Sequence, residues 1–314
     1  MSTTNIRAGV AGAGVFGGYH AAKYAEAAGA DLTAVFDADA ERAEALAAKH
    51  GARAFTDYAA FLGAVDCVTV AAPATAHASL AQAALDAGVH VLVEKPIAMT
   101  LADADRLVET ARARGLTLQV GHQERYVADA LGLLSRPRPR RVESRRLNRF
   151  SGRAMDVSVV FDLMIHDLDL LLRLTDAEPD VLRVDARAAH GAAADHVAAS
   201  VLFADDTRAA LAASRLAETP TRDLTLVYED GTVRLDFLTR TVTNTTRAPL
   251  AASLDGEDRP PALSDPLAYG TETFLAAIRS GEDPIVTGED GRAALALALV
   301  IEERAVAALE GDPS

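Results

Sequence analysis

Residues 160 to 174 read VFDLMIHDLDLLLRL, an apolar run that carries Asp162, His166, Asp167 and Asp169. An imidazole with an ordinary pKa near ~6.5 accepts a proton close to neutrality, and a carboxylate one helical turn away can orient its ring. On a regular helix Asp162, His166, Asp169 and Arg173 fall at i, i+4, i+7 and i+11, one narrow stripe, with Asp167 alone off it. The stripe suits proton transfer. It suits the wet face of an amphipathic helix equally well, and this segment alone leaves both readings open.

A second set of residues has chemistry of another kind. Ile6 to Ala11 is a short apolar run that leads into Gly12, Gly14, Val15, Phe16 and Gly17 of GAGVFG, then into an Ala-rich helical stretch that stops near Gly29. The next run, LTAVFD, ends at Asp37, twenty positions after Gly17. Gly12 allows the tight turn, Gly14 lets the backbone approach a pyrophosphate, and Gly17 lets the helix pack closely on the strand. The helix N-terminus then faces the phosphates, with Val15 and Phe16 in the same loop. Asp37 can accept hydrogen bonds from the adenosine ribose and would repel a 2'-phosphate, so NAD is favoured over NADP. FDAD is also good turn chemistry, which is the plainer reading of Asp37.

The elements that must position these residues follow from alternation. Helical DAERAEALAAKH, apolar VDCVTVAAP, a helix from about Thr75 to Ala87, VHVLVEKP, helical LADADRLVETARARG and LTLQVGH continue the series. Such alternation implies a parallel sheet covered on both faces, with ligands at the C-terminal ends of the strands. Pro73, Glu94 to Pro96 and His122 fall at such ends. After about Gln123 come extended stretches such as VLRVDARAAH, HVAASVLFA, DLTLVYE and TVRLDFL, which suggest a largely antiparallel sheet. The fold class is therefore α/β: a doubly wound Rossmann domain over 1–122, then an α+β substrate and oligomerisation domain over 123–314, whose C-terminal helix near 288–310 is expected to pack back on the first.

Composition narrows the function. With 314 residues, half of them hydrophobic, the chain can bury a large core. A net charge of -14 argues against non-specific nucleic-acid binding. The sole cysteine, Cys67, rules out an intramolecular disulfide and reads as a core side chain. No signal peptide or membrane span is legible, so the expectation is a soluble cytoplasmic protein without membrane partners. No Cys/His cluster has metal-ligand spacing, so no metal is expected. One basic segment stands out, RPRPRRVESRRLNRFSGR, with eight arginines from Arg136 to Arg153. It reads as a diphosphate contact or as a solvated basic loop and strand face.

AGAGVFG, Asp37, AAPATAH followed by LDAGVHVLVEKP, and DLMIHDLD together resemble the Gfo/Idh/MocA family of sugar and polyol oxidoreductases, in the right order over the whole chain. The resemblance implies that Lys95, Asp162 and His166 line the substrate site beside the nicotinamide; the expected roles are His166 as base, Asp162 orienting its ring or binding a sugar hydroxyl, and Lys95 hydrogen-bonded to the reacting oxygen. Pro73, His77, Glu94 and Lys95 join the cofactor site. Met164 stands where many members carry glycine. GHQERY, which begins at Gly121, resembles the GHxERF form of nucleotide-sugar dehydrogenases acting at C3 of UDP-N-acetylglucosamine, and so implies His122 and Arg125 as substrate contacts; Arg149 and Arg153, the arginines nearest in sequence to the catalytic helix, are the candidate diphosphate contacts. Two alternatives stay open: an inositol or free-sugar dehydrogenase, and a cofactor-binding regulator without turnover, against which Lys95 and His166 argue. A homo-oligomer, dimer or tetramer, is expected from the broad second sheet.

Overall fold

The computed structural model describes residues 5–152, 155, 157–175, 177–253 and 259–311. It divides into two compact units, Met1–Tyr126 with Asp265–Arg292, and Val127–Ser264 with Ala293–Ser314.

The first unit alternates strand and helix: β1 (Ile6–Ala11), α1 (Val15–Glu26), β2 (Ala30–Phe36), α2 (Ala40–His50), β3 (Arg53–Phe55), α3 (Tyr58–Leu62), β4 (Cys67–Val70), α4 (Ala74–Asp86), β5 (His90–Val93), α5 (Leu101–Arg114) and β6 (Leu118–Val120). All ladders are parallel, in the order β3-β2-β1-β4-β5-β6. Helices cover both faces of such a sheet, which is why every residue of β4 is buried and why apolar runs replace alternation. Local chemistry sets the helix ends. Asp39 caps α2 by accepting from the Arg42 N–H, and Gly51 closes it in the left-handed conformation. A later helix, α9 (Pro266–Ser280), joins this unit: Phe274 and Leu275 share a core with Val10, Tyr24 and Val35. Asp265 holds Lys23 of α1 at 2.9 Å, and Arg279 donates to the Gly29 carbonyl at 2.7 Å.

The second unit is built on seven strands in the order β13-β12-β11-β7-β10-β9-β8. They are β7 (Arg141–Leu147), β8 (Pro179–Arg187), β9 (His196–Phe203), β10 (Arg208–Ser214), β11 (Thr221–Tyr228), β12 (Gly231–Asp236) and β13 (Thr241–Asn244). Every pair is antiparallel except β7 with β10, so the expected antiparallel sheet holds with one parallel seam at its centre. Alternation is clear on β7, where Val142, Ser144 and Arg146 are buried while Arg141 and Arg145 are exposed. The chain also contains α6 (Gln123–Ala130), α7 (Ile165–Thr175), α8 (Pro261–Ser264) and α10 (Gly288–Glu310). Among the described residues no helix is long and apolar enough to cross a membrane.

Candidate active site

The glycine loop between β1 and α1 is built as its spacing requires. Gly12 has φ of +104°, and a Cβ there would lie 2.7 Å from the Ala71 backbone at the end of β4. A Cβ on Gly17 would lie 1.7 Å from the Gly12 carbonyl oxygen, so helix and loop touch at backbone distance. Gly14 differs: a Cβ there would meet nothing within 4 Å. Open space beside Gly14, next to a helix N-terminus that no side chain caps, fits a pyrophosphate. The loop stands at the topological switch point of the sheet, where β1 is flanked by β2 and β4. Val15 and Phe16 form the start of α1 and are exposed.

Asp37, directly after β2, is wired to this loop. Its Oδ2 accepts from the Ala13 N–H at 2.8 Å, and its Oδ1 accepts from the Asp39 N–H and from Arg42 Nη2, each at 2.9 Å. Burial pushes this carboxyl up, but the two backbone donors and the Arg42 guanidinium outweigh burial and hold it below the usual range. It is an anion at neutral pH. The contact with Ala13 was not legible in the sequence.

At the carboxyl ends of β4, β5 and β6 lie the other residues of the first unit. Pro73 precedes the first turn of α4. His77 is buried on α4, with Nδ1 2.7 Å from the Pro96 carbonyl oxygen and Nε2 2.9 Å from that of Ala72. Glu94 is buried, and its Oε1 lies 2.8 Å from Nε2 of His20, a residue of α1 that the sequence reading passed over. The available signal was its place three residues after Gly17, on the inward face of α1. Lys95 is half-buried between these two anchored neighbours. His122 is 1 % exposed, and burial, aided by Arg125, pushes its imidazole down to about 3, so it is neutral at physiological pH. Arg125 is itself buried and pairs with Asp290 at 2.7 Å.

The helix in the second unit departs from the regular stripe expected of it. Val160–Met164 forms a π-helical turn, with the Ile165 N–H bonded to the Val160 carbonyl, and only Ile165–Thr175 is α-helical. The turn has local causes. Ser158 accepts from the Val160 N–H through Oγ and from the Asp162 N–H through its carbonyl. Arg215 donates to the Val157 carbonyl at 2.7 Å, fixing the entrance. Widened turns of this kind are frequent at functional sites. The widened turn breaks the regular phase between Asp162 and the residues that follow it, so the solvent-face reading fails: Asp162 and His166 are half-buried, Asp169 is 1 % exposed, and only Arg173 faces water. Asp167, placed off the stripe by sequence, is buried too, and its Oδ2 accepts from Arg146 Nε of β7 at 2.7 Å.

That pair shows where much of the arginine-rich segment goes. Arg138 pairs with Asp205, Arg140 with Glu229, and Arg145 with Asp223. Arg136 donates to Thr246 and to the Ala248 and Pro249 carbonyls. Arg149 is exposed and donates through Nε to the Glu218 carbonyl. Arg153 lies outside the described residues.

Comparison with known proteins agrees with this geometry. Residues 6–122 match the Gfo/Idh/MocA family described as an oxidoreductase family with an NAD-binding Rossmann fold, and residues 132–234 match the Gfo/Idh/MocA C-terminal domain. UDP-N-acetylglucosamine 3-dehydrogenase from Acidithiobacillus ferrooxidans is 39% identical over 304 residues, 95% of this chain and 96% of that one. A solved structure of that enzyme superposes with a TM-score of 0.87 at 38% identity, covering 98% of this chain and 99% of the other. D-apiose dehydrogenase from Paraburkholderia graminis is 31% identical over 332 residues, 96% of this chain and 87% of that one. A glycine loop wired to Asp37, a lysine held at the end of β5 and two matching domain families in sequence order thus lead to one assignment: this chain belongs to the Gfo/Idh/MocA family of oxidoreductases.

Proposed function

We propose that this protein is an NAD-dependent dehydrogenase that oxidises a secondary alcohol of a nucleotide sugar, with the 3-hydroxyl of UDP-N-acetylglucosamine as the favoured substrate group. The observation that carries the reading is the similarity to UDP-N-acetylglucosamine 3-dehydrogenase along nearly the whole of both chains, substrate unit included. When bound, NAD supplies the hydride acceptor. Gly12, Gly14, Val15, Phe16 and Gly17 would hold its pyrophosphate, and Asp37 its adenosine ribose. The ionised Asp37 favours NAD over NADP because a 2'-phosphate would meet its charge, with Arg42 tempering the repulsion.

On the alcohol side, the imidazole of His166 takes the hydroxyl proton while the carbon loses its hydride, leaving a ketone. Asp162 orients that ring or bonds a neighbouring hydroxyl, and Lys95 donates to the reacting oxygen as charge develops on it. The exposed Arg149 is the diphosphate contact to test first. Self-association is expected through the second sheet, where Ala198, Ser200, Ala210 and Ala212 line, together with charged side chains such as Arg141 and Glu143, a hollow of about 620 Å³. The sole, buried cysteine suits a cytoplasmic setting.

The test is a titration of enzyme and NAD with UDP-N-acetylglucosamine, free N-acetylglucosamine and myo-inositol, followed by NADH formation. The nucleotide sugar should be oxidised with the highest kcat/KM, and Arg149→Ala should weaken it while leaving NADH affinity nearly unchanged. Oxidation of inositol or of the free sugar, with no response to the nucleotide form, would replace the proposal with a free-sugar dehydrogenase.

A further inference from the structure

Glu94, Lys95 and Pro96 form the turn that follows β5, and two helices reach it from different directions. His20 of α1 bonds the Glu94 carboxylate at 2.8 Å, and His77 of α4 approaches the Pro96 carbonyl at 2.7 Å. The residues on each side of Lys95 are thereby anchored, one through its side chain and one through its backbone. Both rings are almost wholly enclosed, at 1 % and 2 % exposed. Glu94, Pro96, Ile97 and Ala98 around them are buried, and Lys95 alone in this turn is half-buried.

Packing does not call for imidazoles here. A buried polar ring loses its hydration and regains it only through hydrogen bonds, so leucine would fill either space at lower cost. For His20 the cost is visible, because its Nδ1 is buried with no hydrogen-bond partner among the described residues. For His77 both ring nitrogens face carbonyl oxygens, and a neutral ring donates to only one of them. With that proton on Nδ1, the ring holds the Pro96 carbonyl. What the imidazoles add is direction. A lysine ammonium on a four-carbon stem is placed only as well as its own backbone is held.

We propose that His20 and His77 are positioning residues that clamp the turn carrying Lys95 and so fix where its ammonium meets the reacting oxygen. The inference rests on the role proposed above for Lys95. It makes His20, which faces no substrate, matter to turnover.

The test pairs substitutions by reach. Gln at position 20 places an amide N–H about where Nε2 stands, and Asn at position 77 places one about where Nδ1 stands; Asn at 20 and Gln at 77 do not. His20→Leu and His77→Leu should each lower kcat by roughly 10²-fold, the effect of an ångström-scale misplacement, with NADH affinity nearly unchanged in His20→Leu. His20→Gln and His77→Asn should recover most of the loss, whereas His20→Asn and His77→Gln should not. If the leucine variants fail to fold, the comparison of Gln with Asn at each position gives the same reading. Wild-type kcat in the leucine variants, or equal loss of kcat and NADH affinity in His20→Leu, or no difference between Gln and Asn, would overturn the clamp. Wild-type activity on nucleotide sugar and inositol judges the functional reading separately. Should neither be a substrate, amide hydrogen exchange at Lys95 and Ile97 in the NADH complex decides: faster exchange in the leucine variants supports the clamp, and unchanged exchange refutes it.

Discussion

Asp167→Asn removes one charge from an ion pair sealed inside the second unit. The Arg146 and Asp167 side chains are each 5% exposed and meet at 2.7 Å. The substitution keeps the volume and shape of the residue but removes the carboxylate charge 2.7 Å from a guanidinium held away from water. Breaking a buried pair from one side costs about 3–5 kcal/mol, against ~1 kcal/mol or less for a pair on the surface. For a chain of this size that lowers the melting midpoint by on the order of 10 °C. Far-UV circular dichroism follows the transition without an optical label, which the chain needs because it has no tryptophan. The double replacement Arg146→Met with Asp167→Leu should restore most of the loss, since packed apolar side chains replace a buried pair with little net penalty. A loss below about 1 kcal/mol in Asp167→Asn, the range of an exposed pair, would contradict the burial of this ion pair beside the helix carrying His166.

His166→Ala and Lys95→Ala should each lower kcat by roughly 10²–10⁴-fold, the range for losing a general acid or base, while NADH affinity measured from cofactor fluorescence stays nearly constant in His166→Ala; parallel loss of both in that variant would signal a folding role. Asp37→Ala should narrow the gap between NADH and NADPH dissociation constants by freeing Arg42 to meet a 2'-phosphate, and an unchanged ratio would remove Asp37 from cofactor choice. His122, pushed down to about 3 in the folded chain, takes up its proton in the unfolded chain near pH ~6.5. Its contribution to stability is therefore complete above that pH and lost on acidification toward the folded value, at up to about 1.4 kcal/mol per pH unit. Urea midpoints across this window should fall less steeply in His122→Gln than in the wild type, and equal slopes would contradict the assignment.

The parts of the site that were legible in the sequence are those fixed by neighbours in the chain. Gly12 and Gly17 announce themselves because a positive φ and a backbone contact are local constraints that other residues cannot meet. Asp37 and Lys95 follow from strand ends, and strand ends follow from hydrophobic runs. The π-helical turn was hidden because it depends on Ser158 and on Arg215, which arrives from the far end of β10. The ion pair of Asp167 was not legible for the same reason: an i, i+4 stripe describes a helix in isolation, and Arg146 reaches this one from β7. The arginine-rich segment was visible as charge. Its partners Asp205, Asp223 and Glu229 lie in or beside strands that become neighbours only when the sheet forms. His20 escaped notice because a histidine on a helix carries no meaning until the strand beneath brings up Glu94.

The central claim is a hydride taken from a defined carbon of a nucleotide sugar, and isotope transfer measures it directly. Wild-type protein would be incubated with NAD and UDP-N-acetylglucosamine carrying deuterium at C3, and the NADH formed analysed by mass spectrometry. The account predicts NADH carrying the deuterium, together with a 3-keto nucleotide sugar. Unlabelled NADH would move the oxidation to another carbon, and the absence of NADH would contradict the claim that this chain oxidises that substrate.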